Sequence, residues 1–128
     1  MSDKFTVEII TPVKSILKSE ATQVTIPAYE GQLGILKDHI PLITFLRPGF
    51  INIEDQNEKK YFIEEGTVEF SNNNLLILTS TAIDLNNFEK NSINSQLEMA
   101  ENKIKKTNLT DKEKYLESHK IDALKEIN

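Results

Sequence analysis

Residues 30–49 read EGQLGILKDHIPLITFLRPG. Within them lie Gly31, Gly34 and Gly49, the prolines Pro41 and Pro48, His39, and Arg47, the only arginine of the chain. Glycine opens backbone angles closed to other residues and proline fixes φ, so the backbone itself sets the shape of this segment. Three roles fit such a segment: a catalytic loop around His39, an anion-binding loop around the glycines, or a surface shaped to another protein.

Chemistry is poorly supported. His39 has Asp38 and Glu30 nearby in sequence, but a general base needs an orienting partner and a substrate pocket, and sequence neighbours do not orient a ring. No G-x-S-x-G elbow and no second histidine lies close to it. A zinc site would need His39 and His119 to converge with carboxylates, and neither belongs to an H-x-x-x-H or H-E-x-x-H pattern. Gly31-Gln32-Leu33-Gly34 is too short and too apolar for a phosphate loop, and no Lys-Ser or Lys-Thr follows. It reads as a tight turn in which glycine supplies positive φ. Glu64 and Glu65, as adjacent strand residues, point to opposite faces and read as exposed charge. Ser80 and Asp84 have no histidine at a recognisable spacing. The sequence thus predicts no catalytic, nucleotide-binding or metal-binding residue and no cofactor.

Working outward, all four glycines and all four prolines of the chain lie in the first 66 residues, the punctuation of short strands and turns. Phe5, Val7 and Ile9 alternate with Thr6 and Glu8, the pattern of a half-buried strand. Val24 with Ile26, and Ile51 with Ile53, repeat it. Asp55 to Glu58 makes a polar turn into Tyr61-Phe62-Ile63. Val68 and Phe70 lead through Asn72-Asn73-Asn74, a turn signal because asparagine tolerates left-handed angles. Leu75 to Leu78 reads as a strand buried on both faces. Several short strands at this spacing predict a β-sandwich or barrel over residues 1–85.

From residue 86 the period changes. Ile93, Leu97, Ala100 and Ile104 form one helical stripe. Asn86 with Glu89 reads as its N-terminal cap, and Thr110 with Glu113 as the capping box of a second helix. Leu116, Ala123, Leu124 and Ile127 form the second stripe, with Ile121 off it. A short connector makes residues 86–128 an antiparallel hairpin, so the fold class is α+β. Two helices cannot bury both stripes completely; Ile93, Leu97, Ile104, Leu116 and Leu124 need a surface to lean on, and an element docked so weakly can move.

Composition sets the outer limits. The chain has 128 residues, 38% of them hydrophobic, a net charge of −5 and no cysteine. The acidic excess sits entirely in residues 1–85, against the basic face of a nucleic-acid binder. Without cysteines there are neither disulfides nor thiolate metal sites. No run approaches the ~18 apolar residues of a membrane span. Met1-Ser2-Asp3-Lys4 lacks the layout of a secretory signal, so a reducing compartment is expected. These limits leave a β domain with a stiff loop and a detachable helical hairpin, which suits an interaction subunit.

The segment VTIPAYEGQLGILKDHIPLITFLRPGFINI, residues 24–53, takes the reading further. It resembles the core pattern E-G-x-[LIF]-G-[IV]-x-x-x-H-x-P-L-x-x-x-L-x-P-G of the epsilon subunit of F-type ATP synthases. Glu30, Gly31, Leu33, Gly34, Ile35, His39, Pro41, Leu42, Leu46, Pro48 and Gly49 supply it. FTVEIITPVKSILKSEATQVTIPA and FIEEGTVEFSNNNLLILTSTA also fit, so the resemblance spans the chain and is strongest over 5–82. It implies a ten-stranded β-sandwich with a two-helix hairpin, placed in the central stalk and turned by proton flow through a ring of c subunits. It implies a non-catalytic subunit bound to the gamma subunit and the c-ring, with the alpha/beta catalytic head within reach of the hairpin. Glu30, Gly31, Gln32 and Gly34 match the turn facing the ring; His39, Pro41 and Leu42 match the region near gamma. The implied location is the cytoplasmic face of the bacterial inner membrane, peripheral and not inserted.

One departure from that family is plain. Many bacterial members carry [IL]-D-x-x-R-A at the start of the first helix, where ATP binds and holds the hairpin down. The matching positions are Phe88-Glu89-Lys90-Asn91-Ser92-Ile93, with serine for the arginine and isoleucine for the alanine. A lost charged donor costs ~1.5–3 kcal/mol, about ten- to a hundredfold in affinity. The expectation is no useful ATP binding. Lys112, Lys114, Lys120 and Lys125 are offset by Glu113, Glu117, Asp122 and Glu126, so a weak or absent inhibitory state is expected of the hairpin. The competing reading is a free-standing β-sandwich binding module with a helical tail.

Overall fold

The computed structural model describes residues 3–85, 90–105 and 108–127, the side chains of residues 90–92 excepted. Ten strands come first: β1 (Phe5–Ile10), β2 (Ser15–Ala21), β3 (Gln23–Ala28), β4 (Gly31–Leu36), β5 (Leu42–Leu46), β6 (Gly49–Glu54), β7 (Glu58–Ile63), β8 (Gly66–Ser71), β9 (Asn74–Leu78) and β10 (Ala82–Asp84). Two helices follow, α1 (Lys90–Ile104) and α2 (Asp111–Ile127).

The hydrogen-bonded order β10-β7-β6-β3-β5-β8-β9-β1-β2, with β4 on β3, folds over at one corner. β6 pairs with β3 over Gln23–Thr25, whereas β5 meets β3 only at Ala28↔Leu46 and then runs along β8. The corner is Arg47-Pro48, and a strand that bends there can change sheets. One layer is therefore β4-β3-β6-β7-β10 and the other β5-β8-β9-β1-β2. Alternation sends Val7, Ile9, Val24, Ile26, Ile51, Ile53, Val68, Phe70, Leu75 and Ile77 between the layers, all buried. Phe5 meets Phe70 edge-on at 5.6 Å.

Local chemistry sets the turns. Asn72 (φ 51°) and Asn73 (φ 58°) form the two-residue link between β8 and β9, where both central residues need positive φ. Gly31 (φ 133°) opens β4, and a Cβ there would meet nothing within 4 Å, so the angle and not the space requires glycine. The predicted four-residue glycine turn is shorter than expected: Gln32 to Gly34 already belong to β4, with Gly34 opposite Thr25. Gly49 and Gly66 serve space instead, since a Cβ would come 2.8 Å from Pro27 Cβ and 2.7 Å from the Leu78 carbonyl oxygen respectively.

The second half obeys its own rules. Thr110 and Glu113 form the capping box: Glu113 N donates to Thr110 Oγ1 at 3.1 Å and Thr110 N donates to Glu113 Oε1 at 3.3 Å. Asp111 and Glu113 in the first turn and Lys125 in the last complement the helix dipole. Asn86 and Glu89, read as the cap of the first helix, lie outside the described residues. Ile93 near the start of α1 and Leu124 near the end of α2 share one cluster, so the helices run antiparallel. That cluster closes on Phe50 of β6 and Phe62 of β7, on the outer face of the first layer. Phe50 and Phe62 are the surface the hairpin leans on.

Two expectations need correction. Ile121, which fits no single stripe, is buried. It lies one turn from Glu117, which pairs with Lys103 of α1 at 3.1 Å. α2 thus packs against both the sheet and α1, and its buried arc is wider than one stripe. Leu75 to Leu78 is not covered on both faces: Leu75 and Ile77 point inward, but Leu78 is 44% exposed. The described residues of the hairpin pack on the first layer, at Phe50 and Phe62.

Candidate functional site

Among the described residues, the outer face of the second layer is left largely exposed. Cross-strand register places Phe45, Thr67, Leu78 and Ile10 in one row across β5, β8, β9 and β1. A second row holds Ile43, Glu69, Leu76 and Glu8. Ile43 is 76% exposed, Phe45 61% and, just before the strand, Ile40 74%. The first row ends in an open groove of about 370 Å³ lined by Ile10, Pro12, Thr67 and Leu78 on its apolar side. On its polar side Ser80 N donates to Glu65 Oε1 at 3.0 Å, joined by the Ser80 hydroxyl, so Glu65 secures a turn. Exposed aliphatic and aromatic side chains grouped on one sheet face mark an interaction surface.

The residues expected near a partner shaft stand at one end of this face. His39 is half-buried with its ring edge-on to Phe70 at 5.9 Å. Its Nδ1 lies 2.7 Å from the Ile40 carbonyl oxygen, which can only accept, so Nδ1 carries the proton. Asp38, at φ 66°, is held by Asn73: Asp38 N donates to Asn73 Oδ1 at 2.7 Å and Asn73 Nδ2 donates back to Asp38 Oδ1 at 3.0 Å. Pro41 is exposed, whereas Leu42 is half-buried against the core. The residues facing outward on β5 are Ile43 and Phe45, which sequence reading did not single out. Period-two alternation from the buried Leu46 could have found them.

At the tip of the β3–β4 hairpin, Glu30, Gln32 and Gly34 are exposed and Gly31 is partly so. Tyr29 N donates to the Phe45 carbonyl oxygen at 3.3 Å, tying this tip to β5. The Tyr115 hydroxyl of α2 donates to the Tyr29 carbonyl oxygen. Rings then step from Phe45 to Tyr29 (6.5 Å), Tyr115 (5.9 Å) and His119 (4.5 Å).

Arg47 closes this line at the sheet corner. Its amide donates to the Pro27 carbonyl oxygen at 3.0 Å and its Nε donates to the Ala28 carbonyl oxygen at 2.8 Å. Its Nη1 sits against the His119 imidazole, 2.9 Å from Nε2 and also in contact with Nδ1. Burial, aided by the Arg47 charge and opposed by Asp122, holds His119 below its ordinary value of 6.5. Lys120 pairs with Glu64 at 2.7 Å, so Glu64 is a tether for the hairpin and not idle surface charge. Of the predicted hairpin residues, Ile93 and Leu124 are buried in the Phe50–Phe62 cluster with Leu97 against it, while Ile104 and Leu116 are half-buried outside it. His39 and His119 have separate surroundings, and among the described residues no group of three His, Asp or Glu side chains could hold a metal. The Arg47–His119 contact links residues 72 apart, beyond local pattern. The i, i+4, i+8 spacing of Tyr115, His119 and Ala123 was the available clue.

Comparison with known proteins bears out the family resemblance. Residues 4–85 match the family "ATP synthase, Delta/Epsilon chain, beta-sandwich domain". The ATP synthase epsilon chain of Pelagibacter ubique is 47% identical, covering 100% of both chains. The mitochondrial ATP synthase subunit delta of Schizosaccharomyces pombe is 40% identical over 76% of this chain and 60% of its own length. Among solved structures, a chain in the cryo-EM structure of Euglena gracilis mitochondrial ATP synthase, OSCP/F1/c-ring, matches with a TM-score of 0.76. It is 19% identical and covers 98% of this chain and 79% of that one, a likeness of fold. The ten-strand sandwich, the family match over residues 4–85 and 47% identity along the full length of an epsilon chain together make this chain a member of the ATP synthase delta/epsilon chain family.

Proposed function

We propose that the chain is a non-catalytic rotor subunit of an F-type ATP synthase, seated in the central stalk between the gamma subunit and the c-ring. It transmits rotation driven by ion flow to the catalytic head. One observation carries the reading beyond family membership: a sandwich armoured on one side by its own helices and left apolar on the other. The gamma subunit covers that second side, over Ile40, Ile43 and Phe45 with His39 and Pro41 at its end. Leu42 supports this surface from beneath. The exposed tip at Glu30, Gly31 and Gln32, with Gly34 beside it on β4, meets the polar loops of the ring.

Residues 1–85 act as the binding domain and residues 86–128 as a movable hairpin able to reach the alpha/beta head, with weak regulation of hydrolysis at most. Location follows from assembly: peripheral, on the cytoplasmic face of a bacterial inner membrane. No described helix is long and apolar enough to cross a membrane, which is consistent with attachment through partner subunits. The hairpin does not bind ATP usefully. Ile93, at the family's alanine position, is 3% exposed and packs with Phe50 and Phe62, so an aliphatic contact stands there.

Tagged chain expressed in its own cell tests the assignment. Purification should bring down the gamma subunit, the catalytic head and the ring in stoichiometric amounts. Recovery of the chain alone, or with unrelated partners, would refute the rotor reading.

A further inference from the structure

We propose that His119 is a proton-operated release for the helical hairpin: neutral, it accepts from Arg47 and clasps α2 to the sheet corner; protonated, it faces a fixed cation and lets α2 go. The geometry leaves little alternative for the pair. Arg47 cannot swing aside freely, because its Nε donates to the Ala28 carbonyl oxygen and its amide to the Pro27 carbonyl oxygen. A guanidinium has donors only and stays charged, so one imidazole nitrogen must accept, which requires the neutral ring. Adding a proton turns the acceptor into a donor and sets two positive charges at hydrogen-bond distance.

The groups around His119 come from the sheet corner and from α2, with two ion pairs beyond them. From the sheet corner comes Arg47; from α2 itself come Asp122 and Glu126, which line the same cleft of about 110 Å³, and the Tyr115 ring. Lys120–Glu64 lies one residue away between α2 and the end of β7. The Lys103–Glu117 pair occupies the flank of α2 toward α1. Asp122 favours the protonated ring, but burial and Arg47 outweigh it, and the docked pKa is lowered. The sign follows. A group whose docked pKa is depressed stabilises docking above its free value, and that stability is lost as pH falls from 6.5 toward the docked value.

The clasp is also well placed to act. Beside the Phe50–Phe62 cluster, α2 is tied to the sandwich by the Arg47–His119, Tyr115–Tyr29 and Lys120–Glu64 contacts, which fall within residues 115–120 of the helix. Loss of the middle tie loosens its neighbours together. Tyr115 would then let go of the Tyr29 carbonyl at the β3–β4 tip, so hairpin release reaches that surface.

Hydrogen exchange of the full chain at pH 7.5 and 5.5, corrected for intrinsic exchange rates, tests the proposal. Protection of residues 111–127 should fall on acidification, by at most about tenfold per pH unit below 6.5 for one proton, while the sandwich strands stay protected. His119→Gln can accept from Arg47 without titrating and keeps every carboxylate. It should hold α2 protection equal at both pH values. Arg47→Gln removes the fixed cation and should shrink the pH response from the other side. An equal acid loss in the wild type and His119→Gln, or none in the wild type, would overturn the proposal.

Discussion

Single side chains in this molecule are constrained by what stands across from them. Gly66 has the Leu78 carbonyl oxygen 2.7 Å from where a Cβ would be, and backbone cannot yield cheaply. Gly66→Ala should destabilise the sandwich by about 1–3 kcal/mol, and Gly49→Ala against Pro27 by a similar amount. Gly34→Ala faces only Gln23 Nε2 at 3.4 Å and should change stability by less than about 0.5 kcal/mol. Urea denaturation of the three variants ranks them; equal effects would refute the steric account. Some of this was legible in sequence. Asn72-Asn73 declared its turn because few residues accept positive φ, and Gly31 did likewise. The crowding at Gly49 and Gly66 was not, because it depends on strands paired across the sheet. Nor was the role of Arg47, whose partner is 72 residues away.

Elements show where periodic reading succeeds and where it stops. The capping box at Thr110 was visible because it is local, four residues that satisfy each other's backbone. Thr110→Ala should cost α2 about 1 kcal/mol, seen as faster amide exchange in its first turn with the sandwich unchanged. Leu124 is fully buried between the helices and the sheet, so Leu124→Ala should cost ~2–5 kcal/mol of hairpin docking. A circular dichroism melt should then show an early helical loss ahead of the β transition. A single unshifted transition would contradict docking through this cluster. Ile121 and Leu78 defeated the pattern for opposite reasons. Ile121 lies one turn from Glu117, whose pairing with Lys103 of α1 widens the buried arc of α2 beyond what one stripe reveals. Leu78 is left 44% exposed by the described residues, though its own strand is apolar from Leu75 onward.

At the scale of the molecule, a two-layer sandwich with helices on one side has two unlike outer faces. Residues 5–78 hold a core of their own, so deletion of 86–128 should leave a folded sandwich that still binds gamma and exposes Phe50 and Phe62 to a hydrophobic dye. ATP hydrolysis by the assembled enzyme should change little on that deletion; a severalfold rise would show that the hairpin inhibits after all. The two-domain layout could be read from punctuation and period alone. Which face stays bare could not, since it depends on how the sheet folds at Arg47-Pro48 and where the hairpin lands. On the proposed reading the bare face seats the gamma subunit. Isothermal titration of recombinant gamma tests it with the wild type and the double variant Ile43→Asp, Phe45→Asp. Each apolar contact contributes ~1.5–3 kcal/mol when buried, so the double variant should bind at least about a hundredfold more weakly. Equal affinity of the two proteins, both folded, would contradict it.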